Sequence, residues 1–283
     1  MIRELLADMI SEPYSISPIH GGDINETFLV TKGDQEFFVK YHHGSYAMEM
    51  FQKEEQGLKL INLAVPGFAP EVIARTSIGN HACLILEFIK SGPDTVAAHA
   101  SLAEQLVKLH TFESDKFGLD QSNFIGSLTQ YNTPYGTISE FMVLSRLEPQ
   151  LKLAQDSNYL ASGEIPSTSK MIKTLEDIIP EEKPCLIHGD LWSGNYLITN
   201  SGKSMIIDPA VAFVHREMDI AMSKLFGGFS TDFYRFYNEY FPLVKGWQQR
   251  IDLFQLYYIL VHLNLFGISY KGSAMRIIKK WFN

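Results

Sequence analysis

Cysteine is almost missing from this chain: Cys83 and Cys185 are the only two in 283 residues. A disulfide-stapled scaffold is therefore excluded, because such domains need several bridges. Each cysteine sits in an apolar stretch, CLILEF and CLI, so two buried, reduced thiols are expected. Runs of one charge are missing too. The net charge is −8, and no basic run exceeds the pair Lys279-Lys280, which argues against a nucleic-acid partner. No apolar run suits a bilayer: the most apolar stretch, residues 253–267, is short and interrupted by Gln255, His262 and Asn264. The opening MIRELLADMISEPYS has neither an apolar h-region nor a small-residue cleavage site and reads as a short amphipathic helix. A cytoplasmic protein without membrane contact is expected. Internal repeats, low-complexity tracts and the phosphate-binding signatures G-x-G-x-x-G and G-x-x-x-x-G-K-[ST] are also missing.

What is present is ordinary globular material, 46% hydrophobic and 20% charged, enough for a sizeable core and one large or two modest domains. The first part is strand-like. Residues 14–20, 27–31 and 36–41 are short runs rich in β-branched and aromatic side chains, the last two joined by a turn at Lys32-Gly33-Asp34. Residues 46–63 switch to helical spacing, and Val65-Pro66-Gly67 stops them. Two further strands follow at 71–76 and 81–88, the latter almost wholly apolar and so central. The breaker cluster Ser91-Gly92-Pro93-Asp94 places a boundary between a β-rich lobe, 1–90, and a second lobe, 91–283. Helices are expected there at 95–111, 137–155, 168–179, 217–226, 232–240, 247–266 and 274–282. Residues 185–208 read instead as strand, loop, strand, turn, strand. The fold class is therefore α+β, with an antiparallel β lobe carrying one helix ahead of a mainly helical lobe.

The segment 188–209, HGDLWSGNYLITNSGKSMIIDP, carries the chemistry. Asp190 stands five residues before Asn195, and Asp208 follows a short hairpin. D-x-x-x-x-N is the spacing of a kinase catalytic loop. Phosphoryl transfer needs Mg²⁺, a hard cation held by few protein oxygens, and a carboxylate and an amide such as Asp208 and Asn195 suit it. A second carboxylate, Asp190, is then available to take the proton of the attacking hydroxyl. Taken alone, D-x-x-x-x-N arises often by chance; HGD before it and IIDP after a hairpin make it specific. His188 reads as a group that fixes the loop rather than one that moves protons. Asp219, eleven residues past Asp208, is either another support for that loop or simply a helix-start carboxylate.

The nucleotide would be held by the β lobe. Lys40 ends the apolar run Phe37-Phe38-Val39 and suits the strand lysine that touches the α- and β-phosphates of ATP. Its helix carboxylate is Glu54 in preference to Glu55; the two neighbours face about 100° apart. The loop GGDINET supplies Gly21, Gly22, Asp23 and Asn25 near phosphate. Glu87 and Ile89, leaving the last strand of that lobe, would present backbone to adenine.

These residues resemble the fructosamine kinase (ketosamine-3-kinase) family, near the aminoglycoside phosphotransferases and choline kinases. The likeness is carried by GGDINETF, FFVKYH, FQKEEQGLKLI, LILEFI, NFIGSLTQYN, HGDLWSGN, IDPAVAFVHREMDIAMSKLFGGF and LYYILVHLNLFG, over about residues 14–270. It implies a bilobal protein-kinase-like fold and ATP- and Mg²⁺-dependent phosphorylation of a sugar-derived ketoamine, free or on a glycated protein. Deglycation would follow, since the phosphorylated adduct is less stable. Asp190 would be the base, Asn195 and Asp208 the metal ligands, and Lys40 and Glu54 the phosphate-lysine pair. Trp192 is a candidate to stack on the sugar, with packing against its own lobe as the plainer alternative. His215 and Glu217 are further candidate acceptor contacts. The chain departs from the family after Gln130-Tyr131-Asn132. A tryptophan is expected there, and Gly136-Thr137-Ile138-Ser139-Glu140-Phe141 stands instead, in a region expected to border the acceptor pocket.

Two other readings remain open from sequence: a kinase for an aminoglycoside- or choline-type compound, and a nucleotide-binding module without catalysis. The second predicts loss of Lys40, Asp190, Asn195 or Asp208, and all four are present. A monomer is the favoured assembly.

Overall fold

The computed structural model describes residues 1–7, 9–19 and 25–283. Its α-carbons group into two compact units, residues 1–102 with 195–209, and residues 103–194 with 210–283.

The first unit is built on a five-stranded antiparallel sheet. The strands are β1 (Ser15–Pro18), β2 (Glu26–Lys32), β3 (Gln35–His43), β4 (Val72–Ile78) and β5 (His81–Glu87), in the order β1-β2-β3-β5-β4. β2 and β3 turn back at Gly33, whose φ of 57° suits a residue without a Cβ. Ala82 through Leu86 of β5 are all buried, so both faces of this strand are covered, as its unbroken apolar run implies. Val30, Val39, Cys83 and Ile85 pack with Leu5, Leu6 and Ile10 at the short helix α1 (Ile2–Leu6). Helix α2 (Ala47–Ala64) lies against β4 and β5. Its buried apolar positions Ala47, Phe51, Leu58 and Ile61 follow the helical period, and Glu54 falls on the same stripe. The sequence predicted this helix one residue off at each end.

The hairpin of Tyr196–Ile198 with Ser204–Ile206 also belongs to the first unit. Gly92 N–H donates to Ile198 O at 2.8 Å, Ile206 N–H to Phe68 O at 2.8 Å, and Ser204 Oγ to Ala98 O at 2.9 Å. Ala98 lies in α3 (Val96–His110), which runs from one unit into the other.

The second unit is mainly helical. It holds α4 (Ile138–Phe141), α5 (Glu148–Asp156), α6 (Thr168–Ile178), α7 (Glu217–Leu225), α8 (Thr231–Tyr240), α9 (Trp247–Phe266) and α10 (Lys271–Phe282). The single helix expected over 137–155 is instead α4, a π-helical segment Met142–Leu147, and α5. Thr137 caps its start, with Oγ1 accepting the Glu140 N–H at 3.2 Å. Helix α9 is apolar around most of its circumference, from Leu253 to Leu263, and accordingly runs through the core with α5, α7 and α10 packed on it. Two short pairings were not anticipated: Asn123–Ile125 with Leu128–Gln130, and Cys185–Ile187 with Ala212–Val214. Both cysteines are free and buried. Among the described residues no helix is long and apolar enough to cross a membrane.

Candidate functional site

In the first unit, Lys40 lies in β3 between Thr27 and Leu84 of its neighbouring strands. Its side chain is almost wholly buried, and its ammonium bridges two carboxylates: Glu54 Oε1 at 2.7 Å and Asp208 Oδ1 at 2.8 Å. The stripe on α2 explains the choice of Glu54. Glu55, about 100° around the helix, pairs instead with Arg75 and Lys59, each at 2.7 Å. Burial alone would lower the pKa of Lys40, but Asp208 and Glu54 together outweigh it and hold the ammonium charged. Burial pushes Glu54 up to about 7; Lys40 opposes the rise and Asp208 adds to it.

Asp208 has φ 56°, a left-handed conformation uncommon for residues with a Cβ but better tolerated by Asp than by most. Its side chain stays 33% exposed although Lys40 holds one oxygen. Asn195 is buried, and its carbonyl accepts the Ile207 N–H at 3.0 Å, tying the hairpin's two ends together. A carboxylate and a carboxamide are both hard oxygen donors, and Mg²⁺ commonly takes few protein ligands, so this pair fits that ion. No cluster of three or more His, Cys, Asp or Glu side chains suited to a metal occurs among the described residues. Asn25 has a buried Oδ1 with no hydrogen-bond partner among the described residues, a polar atom left to a ligand or water. Gly21, Gly22 and Asp23 lie outside the described residues. At the end of β5, Glu87 accepts the Glu71 N–H at 2.9 Å and donates its own N–H to Glu71 O at 3.0 Å. Ile89, two residues further on, is half-buried.

In the second unit, the loop following Cys185–Ile187 is held by one carboxylate. Asp219, buried in the first turn of α7, accepts the His188 N–H at 2.7 Å through Oδ2 and the Gly189 N–H at 2.9 Å through Oδ1. Of the two sequence readings for Asp219, the geometry selects the loop support. His188 is fully buried, and its Nδ1 accepts the Asp190 N–H at 3.2 Å, which puts the proton of a neutral ring on Nε2. Gly189 has φ 84°, and a Cβ there would stand 2.0 Å from Ala210 O, so only glycine fits. Trp192 lays its six-membered ring over Gly194, where an added Cβ would meet it at 2.2 Å. This packing accounts for the glycine in WSGN, and the ring remains half-buried.

Glu217 is buried and paired; His215 is buried, with its Nε2 left without a hydrogen-bond partner among the described residues. Glu217 forms a two-pronged pair with Arg250 at 2.9 and 2.5 Å, and its N–H donates to His215 Nδ1 at 3.2 Å. Burial holds the His215 pKa below its usual value. Their neighbour Arg216 pairs with Glu182 through two bonds of 2.9 Å. His110 has no motif around it, yet its Nε2 lies 3.2 Å from Asp219 Oδ2 while Nδ1 meets Tyr237 Oη at 2.7 Å. The contact joins positions 109 residues apart and has no local signature.

The sequence matches the fructosamine kinase family over residues 2–283. It is 34% identical over 271 residues to an Enterococcus faecium protein provisionally named a ketoamine kinase, covering 94% of this chain and 95% of that one. It is 36% identical over 273 residues to the chloroplastic protein-ribulosamine 3-kinase of Arabidopsis thaliana, covering 93% and 81%. Among solved structures, a Haemophilus somnus protein provisionally assigned as a fructosamine-3-kinase superposes with TM-score 0.87 at 28% identity, covering 100% of this chain and 97% of the other. A thermostable mutant of an aminoglycoside phosphotransferase superposes with TM-score 0.64 at 16% identity, with 98% of each chain covered, a likeness of fold alone. With its α+β, protein-kinase-like fold, this chain belongs to the fructosamine kinase family and is a kinase of that type.

Proposed function

We propose that this enzyme transfers the γ-phosphoryl group of ATP to a hydroxyl of a sugar-derived ketoamine, free or carried on a protein lysine. The observation that carries the reading is Lys40, a buried lysine whose ammonium is shared by Glu54 and Asp208. That is the arrangement a kinase uses to hold α- and β-phosphates beside its metal-binding carboxylate. Ketoamine and ribulosamine in the names of relatives supply the acceptor class.

Residues 1–90 bind the nucleotide in this reading and residues 91–283 carry the catalytic loop and acceptor site. Lys40, kept in place by Glu54, neutralises phosphate oxygens. Asn25 faces phosphate, and the backbone from Glu87 to Ile89 meets adenine. Asp208 and Asn195 would hold Mg²⁺, which when bound would neutralise charge on the transferring oxygens. Asp190 takes the proton as the acceptor oxygen bonds to phosphorus and the bond to the departing ADP oxygen breaks. Asp219, His188 and His110 keep the loop carrying Asp190 in one conformation. His215 and Glu217 serve the scaffold in this reading, because Arg250 pairs with Glu217 and both side chains are buried; Trp192 remains the candidate for the sugar face.

The test is ADP release with Mg·ATP over fructosyl-lysine, ribulosyl-lysine, an aminoglycoside and choline. Turnover on a ketoamine and none on the last two supports the reading. Turnover confined to the aminoglycoside or choline transfers the enzyme to another acceptor class, and binding of ATP without turnover on any acceptor points to a non-catalytic module.

A further inference from the structure

Asn123, Gln130 and Asn132 of the segment NFIGSLTQYN, which leads into the region expected to border the acceptor, are all buried. They form one hydrogen-bonded network. Gln130 Nε2 donates to Asn123 Oδ1 and to Ala210 O, both at 2.9 Å, and Gln130 Oε1 accepts from Tyr257 Oη at 2.9 Å. Asn123 Nδ2 donates to Val211 O at 2.9 Å. Asn132 Nδ2 donates to Asn123 Oδ1 at 2.9 Å, and Asn132 Oδ1 accepts from Arg146 Nη2 at 2.7 Å.

Two features separate this network from ordinary core polarity. Arg146 is fully buried, and no carboxylate pairs with it among the described residues; carbonyl oxygens of Tyr131 and Ser145, the Asn132 amide and the rings of Phe141 and Tyr257 surround it. A buried charge is costly unless its donors are met, so Arg146 locks its acceptors in place. It also stands in the π-helical segment Met142–Leu147, a costly local geometry common at functional positions. The network ends on the carbonyls of Ala210 and Val211. Ala210 N–H in turn donates to His188 O at 2.9 Å, and Ala210 O presses on Gly189.

We infer that Gln130, with Asn123, Asn132, Arg146 and Tyr257, is a positioning group for catalysis: it fixes the Ala210-Val211 backbone against which His188, Gly189 and Asp190 are set. Asp219 holds that loop by its N–H groups, and the Gln130 network holds it through Ala210. The effect is on the loop's geometry.

The test compares Gln130→Met, which keeps length and loses every hydrogen bond, with Leu175→Ala, a core deletion in the same unit chosen to lower the melting temperature comparably. Amide hydrogen exchange is read for residues 188–190 and 210–211 in the folded proteins, together with kcat and both KM values. The expected result for Gln130→Met is exchange about tenfold faster at those amides and kcat down by about tenfold or more, with both KM values within about threefold. Leu175→Ala should leave the local exchange and kcat close to wild type. Should Gln130→Met fail to fold, Tyr257→Phe, which removes one bond, should give the same pattern at about threefold. Unchanged exchange at 188–190, or a kcat within about twofold of wild type in the folded variant, would overturn the assignment. The kinetic arm rests on the phosphotransfer reading and the exchange arm does not: altered exchange in a protein that transfers no phosphate counts against that reading alone.

Discussion

Asp219 Oδ1 accepts the N–H of Gly189 at 2.9 Å, while the other oxygen of the same carboxylate accepts the neighbouring N–H of His188 at 2.7 Å. Two successive backbone donors thus converge on one buried anion. Replacing Asp219 by alanine strands both, at about 1–3 kcal/mol each. The expected outcome is a loss of about 2–6 kcal/mol in urea unfolding and a fall of at least about tenfold in kcat. Asp219→Asn should fall between, since a carboxamide has one acceptor oxygen for two donors. An alanine variant with wild-type stability and rate would show that the loop holds itself.

Lys40 is the cation on which Glu54 and Asp208 depend. Lys40→Met leaves Glu54 buried without its partner, a change that for buried ion pairs costs about 3–5 kcal/mol. Partial exposure of Asp208 brings the expected loss toward the lower figure. Mg·ATP affinity should fall by about tenfold or more, read by calorimetry, because charge-assisted contacts to phosphate go with the ammonium. Glu54→Gln should weaken ATP less, since the lysine remains.

Glu54 also sets a pH dependence. Its folded pKa, about 7, lies above the ordinary 4.5, so the folded state holds the proton more tightly than the unfolded one. The stability linked to this group is therefore complete below about 4.5 and is lost as pH rises to about 7. The stability of wild type relative to Glu54→Gln should decline across that window and level off above it, as read by denaturant titration at several pH values. A relative stability that instead rises with pH would mean that Lys40 dominates burial at this carboxyl.

Burial raises both thiols, Cys83 to about 12 and Cys185 well above its ordinary value. The reactive thiolate is thus scarce and shielded. The native protein should resist alkylation at pH 8, release two reactive thiols on unfolding, and keep its activity in dithiothreitol. Rapid modification of either cysteine in the folded enzyme would contradict this.

The legible parts of the site were those written in local period or spacing. Glu54 could be preferred over Glu55 because it shares a helical stripe with Phe51 and Leu58. Asp190, Asn195 and Asp208 stood out because HGD opens the D-x-x-x-x-N spacing and IIDP follows a hairpin. The rest depends on distant partners. The strand Ala212–Val214 has three residues, too few for a pattern, and forms because Leu186 meets it from elsewhere in the chain. The π-helix at Met142–Leu147 reads as plain helix in sequence. The left-handed backbone of Asp208, a residue type that tolerates it, leaves no trace in composition.

Phosphate transfer to a ketoamine is measured most directly by following fructosyl-lysine and ribulosyl-lysine with Mg·ATP by ³¹P NMR, for wild type and Asp190→Asn. The wild type should produce ADP and one new phosphomonoester in equal amounts. Asp190→Asn should bind ATP within a few-fold of wild type and transfer at least about 10²-fold more slowly. Undiminished transfer by Asp190→Asn, or no phosphomonoester from either ketoamine in a wild-type protein that binds Mg·ATP, would contradict the account.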